Sequence, residues 1–160
     1  MSASLRRAQV LALLVPAALL AGAWAFQLLG KLFPCEMCHW QRWPHYAALA
    51  LAALSFVVGG PRTRRTLVAG AAALIVVSAL IGVFHAGVEY HWWQGITACT
   101  QTVTTAGLTT QQALDRLLAA PIVRCDQAQW SLLGVSLAGW NAVLSFLGAG
   151  LIVWQLRSRA

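Results

Sequence analysis

Four cysteines, Cys35, Cys38, Cys99 and Cys125, are the residues of this chain with the most specific chemistry. Cys35-Glu-Met-Cys38 is a CxxC pair. That spacing serves an exchangeable dithiol, half of a zinc site or, with His39 directly after it, a haem attachment. A disulfide across so small a ring gives little entropic gain, and such pairs are more often exchanged than used as staples. No βαβ pattern surrounds it, which excludes a thioredoxin fold. The pair instead stands at the N-terminal end of an apolar helix, whose positive partial charge and free N–H groups favour a thiolate. Arg42 follows Cys38 by one helical turn, in position to face the same sulfur or to anchor the helix at an interface. Glu36, inside the ring, disfavours a neighbouring thiolate and so tunes the pair. Cys99 and Cys125 lie far apart in sequence, and a bond between them would close a loop, worth about 3–4 kcal/mol.

The elements that must hold these residues are apolar. Hydrophobic residues make up 59% of the 160 and charged residues 9%. Soluble domains carry about 25% charged residues, and disorder needs low hydrophobicity with high charge, so both classes are excluded. Four apolar stretches cover residues 8–30, 43–59, 67–87 and 131–156. A bilayer core about 30 Å thick needs roughly 20 such residues in a helix. The second stretch is the weakest, because its uninterrupted part runs only from Tyr46 to Gly59; it spans if Trp40–His45 form an interfacial first turn. The expected fold is an all-α membrane protein, a single four-transmembrane-helix bundle over residues 1–160. Small-residue runs such as Gly70-Ala-Ala-Ala, and Gly134 through Gly150, suit close helix packing.

Charge placement gives the orientation. The chain has 11 Lys+Arg against 4 Asp+Glu, a net +7. A nucleic-acid footprint would need these on one basic face. Instead Arg6, Arg7, Arg62, Arg64, Arg65, Arg157 and Arg159 fall on one side of the spans with no acid. Lys31, Arg42, Arg116 and Arg124 fall on the other, balanced by Glu36, Glu89, Asp115 and Asp126. Basic flanks stay cytoplasmic, so both termini and the loop Gly60–Thr66 are expected there. Loops 31–42 and 88–130 face outward and hold all four cysteines. Trp40, Trp43, Tyr46, Tyr90, Trp92, Trp93 and Trp130 form an aromatic belt at that boundary. Arg6-Arg7 and the small residues Ala21-Gly-Ala resemble a signal-peptide pattern, but the apolar run continues to Gly30, so an uncleaved span is expected.

The second outer loop contains a helix signal. Thr109 or Thr110 caps it, Gln112 stands at capping-box spacing, and Pro121 stops it. Ala113, Leu114, Leu117 and Leu118 form an apolar stripe opposite Gln112, Asp115 and Arg116, as in a helix lying flat on the membrane interface. The alternative is an ordinary loop helix docked on protein. His39, His45 and His91 read as interfacial polar residues, and Asn141 as an interhelical hydrogen bond within the fourth span.

Together these residues resemble a known family. Pro34-Cys35-x-Met37-Cys38-x-x-Gln41-Arg42 is similar to the first-loop motif of the DsbB family of membrane disulfide-bond formation proteins. Cys125-x-x-x-Gln129-Trp130-x-x-Leu133-Gly134, with Trp140 beyond, is similar to that family's entry into its last span. Phe84-His85-Ala-Gly-Val-Glu89, then Trp92-Trp93 and Cys99, resembles the third-span exit of its proteobacterial members.

The resemblance implies a bacterial inner-membrane thiol:quinone oxidoreductase with periplasmic cysteine loops. A periplasmic thioredoxin-like partner of the DsbA type attacks a Cys99–Cys125 disulfide at Cys99. Cys125 then attacks Cys35, Cys38 is released beside a quinone (ubiquinone or menaquinone) and donates to it, and the Cys35–Cys38 bond reforms. Each step is thiolate attack on a disulfide sulfur. Such a partner is already strongly oxidising, so its reoxidation needs a sink beyond disulfide exchange, and a membrane quinone pool is one. The resemblance gives Arg42 the quinone oxygen or the Cys38 thiolate, and His85 a second quinone contact.

Three rival chemistries are distinguishable. A membrane-anchored c-type cytochrome would use Cys35-x-x-Cys38-His39 and show a Soret band, but it leaves Cys99 and Cys125 unexplained. A non-enzymatic membrane protein with two structural disulfides would keep both when a reduced partner is added. A zinc site would need all four cysteines reduced and clustered.

Overall fold

The computed structural model describes residues 2–100, 106–119 and 123–158. Four long helices carry the chain: α1 (Ala3–Leu28), α2 (Glu36–Val57), α3 (Pro61–Glu89) and α5 (Leu137–Arg157). A shorter helix, α4 (Thr110–Ala119), lies in the long connection between α3 and α5, after a 3₁₀ turn at Ala98–Thr100. Local chemistry sets the starts. Ser2 caps α1, its hydroxyl accepting from the Leu5 N–H at 3.3 Å. Gly60, at φ 82°, turns the chain ahead of Pro61, which stands in the first turn of α3 where its missing N–H costs nothing. Cys35 caps α2 through its sulfur, which accepts from the Cys38 N–H at 3.3 Å.

Two boundaries differ from the sequence expectation in ways that matter. The second helix begins at Glu36, seven residues before the apolar stretch that starts at Trp43, and the CxxC occupies its cap and first turn, the helix end where the sequence puts it. The fourth begins at Leu137, not at Ser131. Ser131–Leu132 (β1) and Val135–Ser136 (β2) instead pair as an antiparallel hairpin. Its two-residue turn, Leu133-Gly134, has φ of 53° and 77°, as a twisted hairpin turn requires. Ser136 then caps α5, its hydroxyl accepting from the Gly139 N–H at 3.1 Å.

Among the described residues, three helices are long and apolar enough to cross a membrane: α1, α3 and α5. Helix α2 is less apolar because Glu36, His39, Gln41, Arg42 and His45 fill its outer half. It nonetheless packs as a full member of the bundle, against α3 and α1, while α5 packs against α3 and α1. The inner half is a small-residue core in which Ala8, Ala12, Ala48, Ala52, Ala71, Ala72 and Ala149 surround Val68, Ile75 and Ile152. At Gly82 a Cβ would come within 3.0 Å of the Ala138 carbonyl, so glycine sets the approach of α3 and α5.

The outer half is polar. His45 is 2% exposed, which corrects its assignment as an interfacial residue. Its Nε2 lies 2.9 Å from the Ser78 hydroxyl and 3.1 Å from Asn141 Oδ1, joining α2, α3 and α5. Asn141 makes the interhelical bonds expected of it, and helix pairing is what a buried amide at this depth supplies.

Helix α4 has its capping box. The Thr109 N–H donates to Gln112 Oε1 at 3.0 Å, and the Gln112 N–H donates to Thr109 Oγ1 at 3.4 Å. Leu114 and Leu118 of its apolar stripe are exposed. Pro121 lies outside the described residues.

Candidate active site

All four cysteines meet in one place. Cys35, Cys99 and Cys125 are buried with Met37 and Val88, and Cys38, Trp40, Phe84 and Val123 pack against them. Cys99 and Cys125 are joined in a disulfide across 26 positions. That bond overturns a zinc site built from four thiolates. The Cys125 N–H also donates to the Cys99 carbonyl at 3.2 Å, so backbone as well as sulfur closes the loop. The Thr97 hydroxyl lies 2.9 Å from Cys99 Sγ. Cys35 and Cys38 are thiols with sulfurs 2.8 Å apart.

The two thiols differ. The pair stands at the N-terminal cap and first turn of α2. The hydrogen bond shared with the Cys38 sulfur, and then burial, push the Cys35 thiol far up. Cys38 is lowered, first by that donated hydrogen bond and, more weakly, by the Arg42 guanidinium, against the opposing cost of burial. Cys38 is therefore the more acidic thiol of the pair. It is also the more accessible: Cys35 is 4% exposed, and Cys38 is half-buried on a cavity wall.

That cavity has a volume of about 450 Å³ and runs between α1, α2 and α5, with the end of α3 at its outer side. Leu19, Leu20, Phe26, Leu137, Trp140 and Leu144 give it an apolar lining. Its polar groups are few: Cys38, Gln41, Arg42, His45, His85, Glu89 and Asn141 among them. Apolar clefts of this size with a few convergent polar groups are the usual form of small-molecule sites.

Arg42 is placed on that wall by α1. One guanidinium nitrogen donates to Gln27 Oε1 at 2.6 Å and another to the Ala23 carbonyl at 3.2 Å. The guanidinium also sits 5.5 Å from the centre of the Trp24 ring. It is thus held flat and pre-oriented, a geometry that a point-charge ammonium would not reproduce.

His85 stands on the other side, 2% exposed. Its Nε2 is 3.5 Å from Cys35 Sγ and 3.7 Å from Glu89 Oε1. Its Nδ1 is 2.7 Å from Gln41 Nε2. The structure thus brings together Cys35, Cys38, Cys99, Cys125, Arg42 and His85, the six residues singled out from the sequence, although His85 touches the Cys35 sulfur as well as lining the cavity.

Sequence reasoning passed over Gln27, Gln41, Thr97 and Glu89. Gln41 and Glu89 were within quoted motifs, yet nothing in the chain says that they share a wall. Gln27 lies inside an apolar run, and one polar residue one turn from its end was the only available signal.

A family model described as "Disulfide bond formation protein DsbB" matches residues 5–155, nearly the whole chain. The chain belongs to that family. No curated protein and no solved structure matches it.

Proposed function

From membership of the disulfide-bond formation family, we infer that this chain is a membrane thiol:quinone oxidoreductase. It reoxidises a soluble, thioredoxin-like dithiol oxidase of the DsbA type and passes the electron pair through its two cysteine pairs to the membrane quinone pool. The observation that carries the reading is the junction of two features at Cys38. It packs against the buried cluster that holds Cys35, Cys99 and Cys125, and the same residue lines an apolar cavity with Arg42 on its wall. A relay needs the first feature and a lipid-soluble electron acceptor needs the second.

The residues present fit a quinone. Arg42 would hold a ring oxygen, His85 lies across the cavity, and the apolar lining suits a ring and an isoprenoid tail. A bound quinone supplies a two-electron acceptor more oxidising than the partner. The chain's own steps are sulfur exchanges. The partner's thiolate attacks Cys99, and the Thr97 hydroxyl beside that sulfur orders the site. Cys125 leaves, and its place in the cluster with Cys35 lets it attack the oxidised Cys35–Cys38 pair without crossing the protein. Cys38 then departs as a thiolate on the cavity wall, one helical turn from Arg42.

We assign the protein to a bacterial inner membrane with both termini cytoplasmic. Helix α2 serves as the fourth span and α4 lies at the outer interface, its exposed Leu114 and Leu118 toward lipid. Alkylation trapping of each cysteine in membranes tests the route. Quinone depletion should leave Cys35 and Cys38 reduced while reduced partner is supplied. Continued reoxidation of that pair after complete depletion would refute the assignment.

A further inference from the structure

Glu89 is a carboxylate facing the cavity from the end of α3, with its side chain only 7% exposed. Its Oε2 is buried and has no hydrogen-bond partner. Burying an unsatisfied carboxylate oxygen is costly, so the group invites a function. The titratable and charged groups that line the same cavity are Cys35, Cys38 and Arg42 of α2, with His45 deeper, His85 of α3, and Arg124 of the loop before α5; the Ser136 hydroxyl also lies close to the carboxylate. Its Oε1 lies 3.7 Å from His85 Nε2, which is itself 3.5 Å from the Cys35 sulfur, and an ionised carboxylate there weakly opposes a thiolate on either cysteine. Arg124 is committed to Asp126, and Arg42 to Gln27 and the Ala23 carbonyl.

His85 is the other candidate to move a proton here, and its hydrogen bonds exclude it. Gln41 Nε2 lies 3.3 Å from the Met37 carbonyl, which only accepts, so this end of the amide is the NH₂. Gln41 Oε1 agrees, accepting from Asn141 Nδ2 at 2.9 Å. The same NH₂ meets His85 Nδ1 at 2.7 Å and must donate to it. Nδ1 is therefore unprotonated, and the neutral ring carries its proton on Nε2, toward Cys35 and Glu89. A second proton on Nδ1 would set two donors against each other. His85 is thus a hydrogen-bond donor at Nε2, toward the Cys35 sulfur, the Cys125 backbone and Glu89, and not a proton acceptor.

We propose that Glu89 is the proton carrier of the Cys35–Cys38 pair, with Gln41 as the positioning residue that holds His85 in its donor tautomer. This rests on the redox role proposed above for the pair. When the disulfide is reduced, Cys38–SH and the Glu89 carboxylate become the Cys38 thiolate and the Glu89 carboxylic acid. One proton moves, no net charge changes, and no electron is involved. Cys35 keeps its own proton. The pair therefore holds two protons on the cavity wall, one on Cys35 and one on Glu89, matching the two electrons it stores.

The test is a proton count on the full chain in detergent, stripped of quinone and reduced with dithiothreitol in weak buffer at neutral pH. Released protons are read with an indicator dye and the thiolate by its ultraviolet absorbance. Wild type should form the Cys38 thiolate and release no proton. Glu89→Gln should either release one proton per thiolate or fail to form the thiolate. One proton per thiolate released by wild type, or identical counts and absorbance in the two proteins, overturns the proposal. An infrared difference spectrum of wild type alone should gain one protonated-carboxyl band on reduction, and its absence also overturns it, whatever the folding of the variant. Because dithiothreitol replaces the partner and no quinone is present, failure of the proposed electron route leaves this count unaffected.

Discussion

Replacing Gln41 with leucine separates a working hydrogen-bond network from a merely buried amide. Gln41 is 7% exposed and joins three helices: it donates to His85 Nδ1 on α3 and accepts from Asn141 on α5. Leucine fills a similar volume but leaves His85 Nδ1 without its partner, at a cost of about 1–3 kcal/mol for an orphaned buried group. Asn141 keeps a bond to the Ser78 hydroxyl at 3.2 Å, so its loss is one interhelical bond. In membrane proteins such bonds average about 0.6 kcal/mol and reach about 1.7. The expected destabilisation is therefore about 2–5 kcal/mol, measured by reversible unfolding in detergent with helical circular dichroism. The orphan penalty requires the histidine, so Gln41→Leu combined with His85→Phe should cost clearly less than the two single changes added together. A change below about 0.5 kcal/mol for Gln41→Leu, or strict additivity in the double variant, would refute the network and the tautomer that depends on it.

Further outcomes follow from the same geometry. Cys38→Ser should abolish quinone reduction while the Cys99–Cys125 disulfide still traps a reduced partner as a mixed disulfide on non-reducing gels. Arg42→Lys loses the two-pronged hold on Gln27 and Ala23 and the contact with Trp24, worth about 1–2 kcal/mol. The KM for quinone should rise roughly 10-fold with the KM for the partner unchanged. Gly82→Val would drive a side chain into the Ala138 carbonyl and Ala142 and should destabilise the bundle by about 1–3 kcal/mol. Arg124 holds the Asp126 carboxyl below its ordinary range through a side-chain hydrogen bond. That contribution is present at neutral pH and lost as pH falls through the depressed value. Amide exchange near Asp126 should therefore quicken at low pH, modestly because the pair is exposed, and Arg124→Gln should remove the pH dependence.

Much of the site was legible because its chemistry is local in sequence. The CxxC spacing, the cap at Thr109 and Gln112, and the apolar runs each declare themselves within one or two helical turns. The pairing of Cys99 with Cys125 was accessible only through family resemblance, since 26 positions of loop carry no register. The hairpin at Ser131–Ser136 was lost inside an apolar run, because Val135 and Leu132 look the same in a strand as in a helix; only the Leu133-Gly134 turn distinguishes them. His45 was misplaced for a related reason. Proximity to the aromatic belt suggests an interface, whereas the partners that bury it, Ser78 and Asn141, come from other helices. Gln41 and Glu89 illustrate the limit: their meaning lies in which atoms face each other across α2 and α3.

The glycine contact between α3 and α5 has a mechanical consequence. With a Cβ at Gly82 already too close to the Ala138 carbonyl, the two backbones touch and have no slack to slide along each other. The Tyr90 hydroxyl adds a second rivet, accepting from the Ser136 N–H at 2.8 Å and donating to the Gly134 carbonyl at 3.0 Å. The end of α3 and the start of α5 thus behave as one beam. Rearranging sulfur–sulfur bonds shifts attachment points by an ångström or more, and a beam of this kind does not yield to that. Any give that the exchanges require is therefore left to parts of the chain outside that beam, which makes the paired helix ends the frame of the machine.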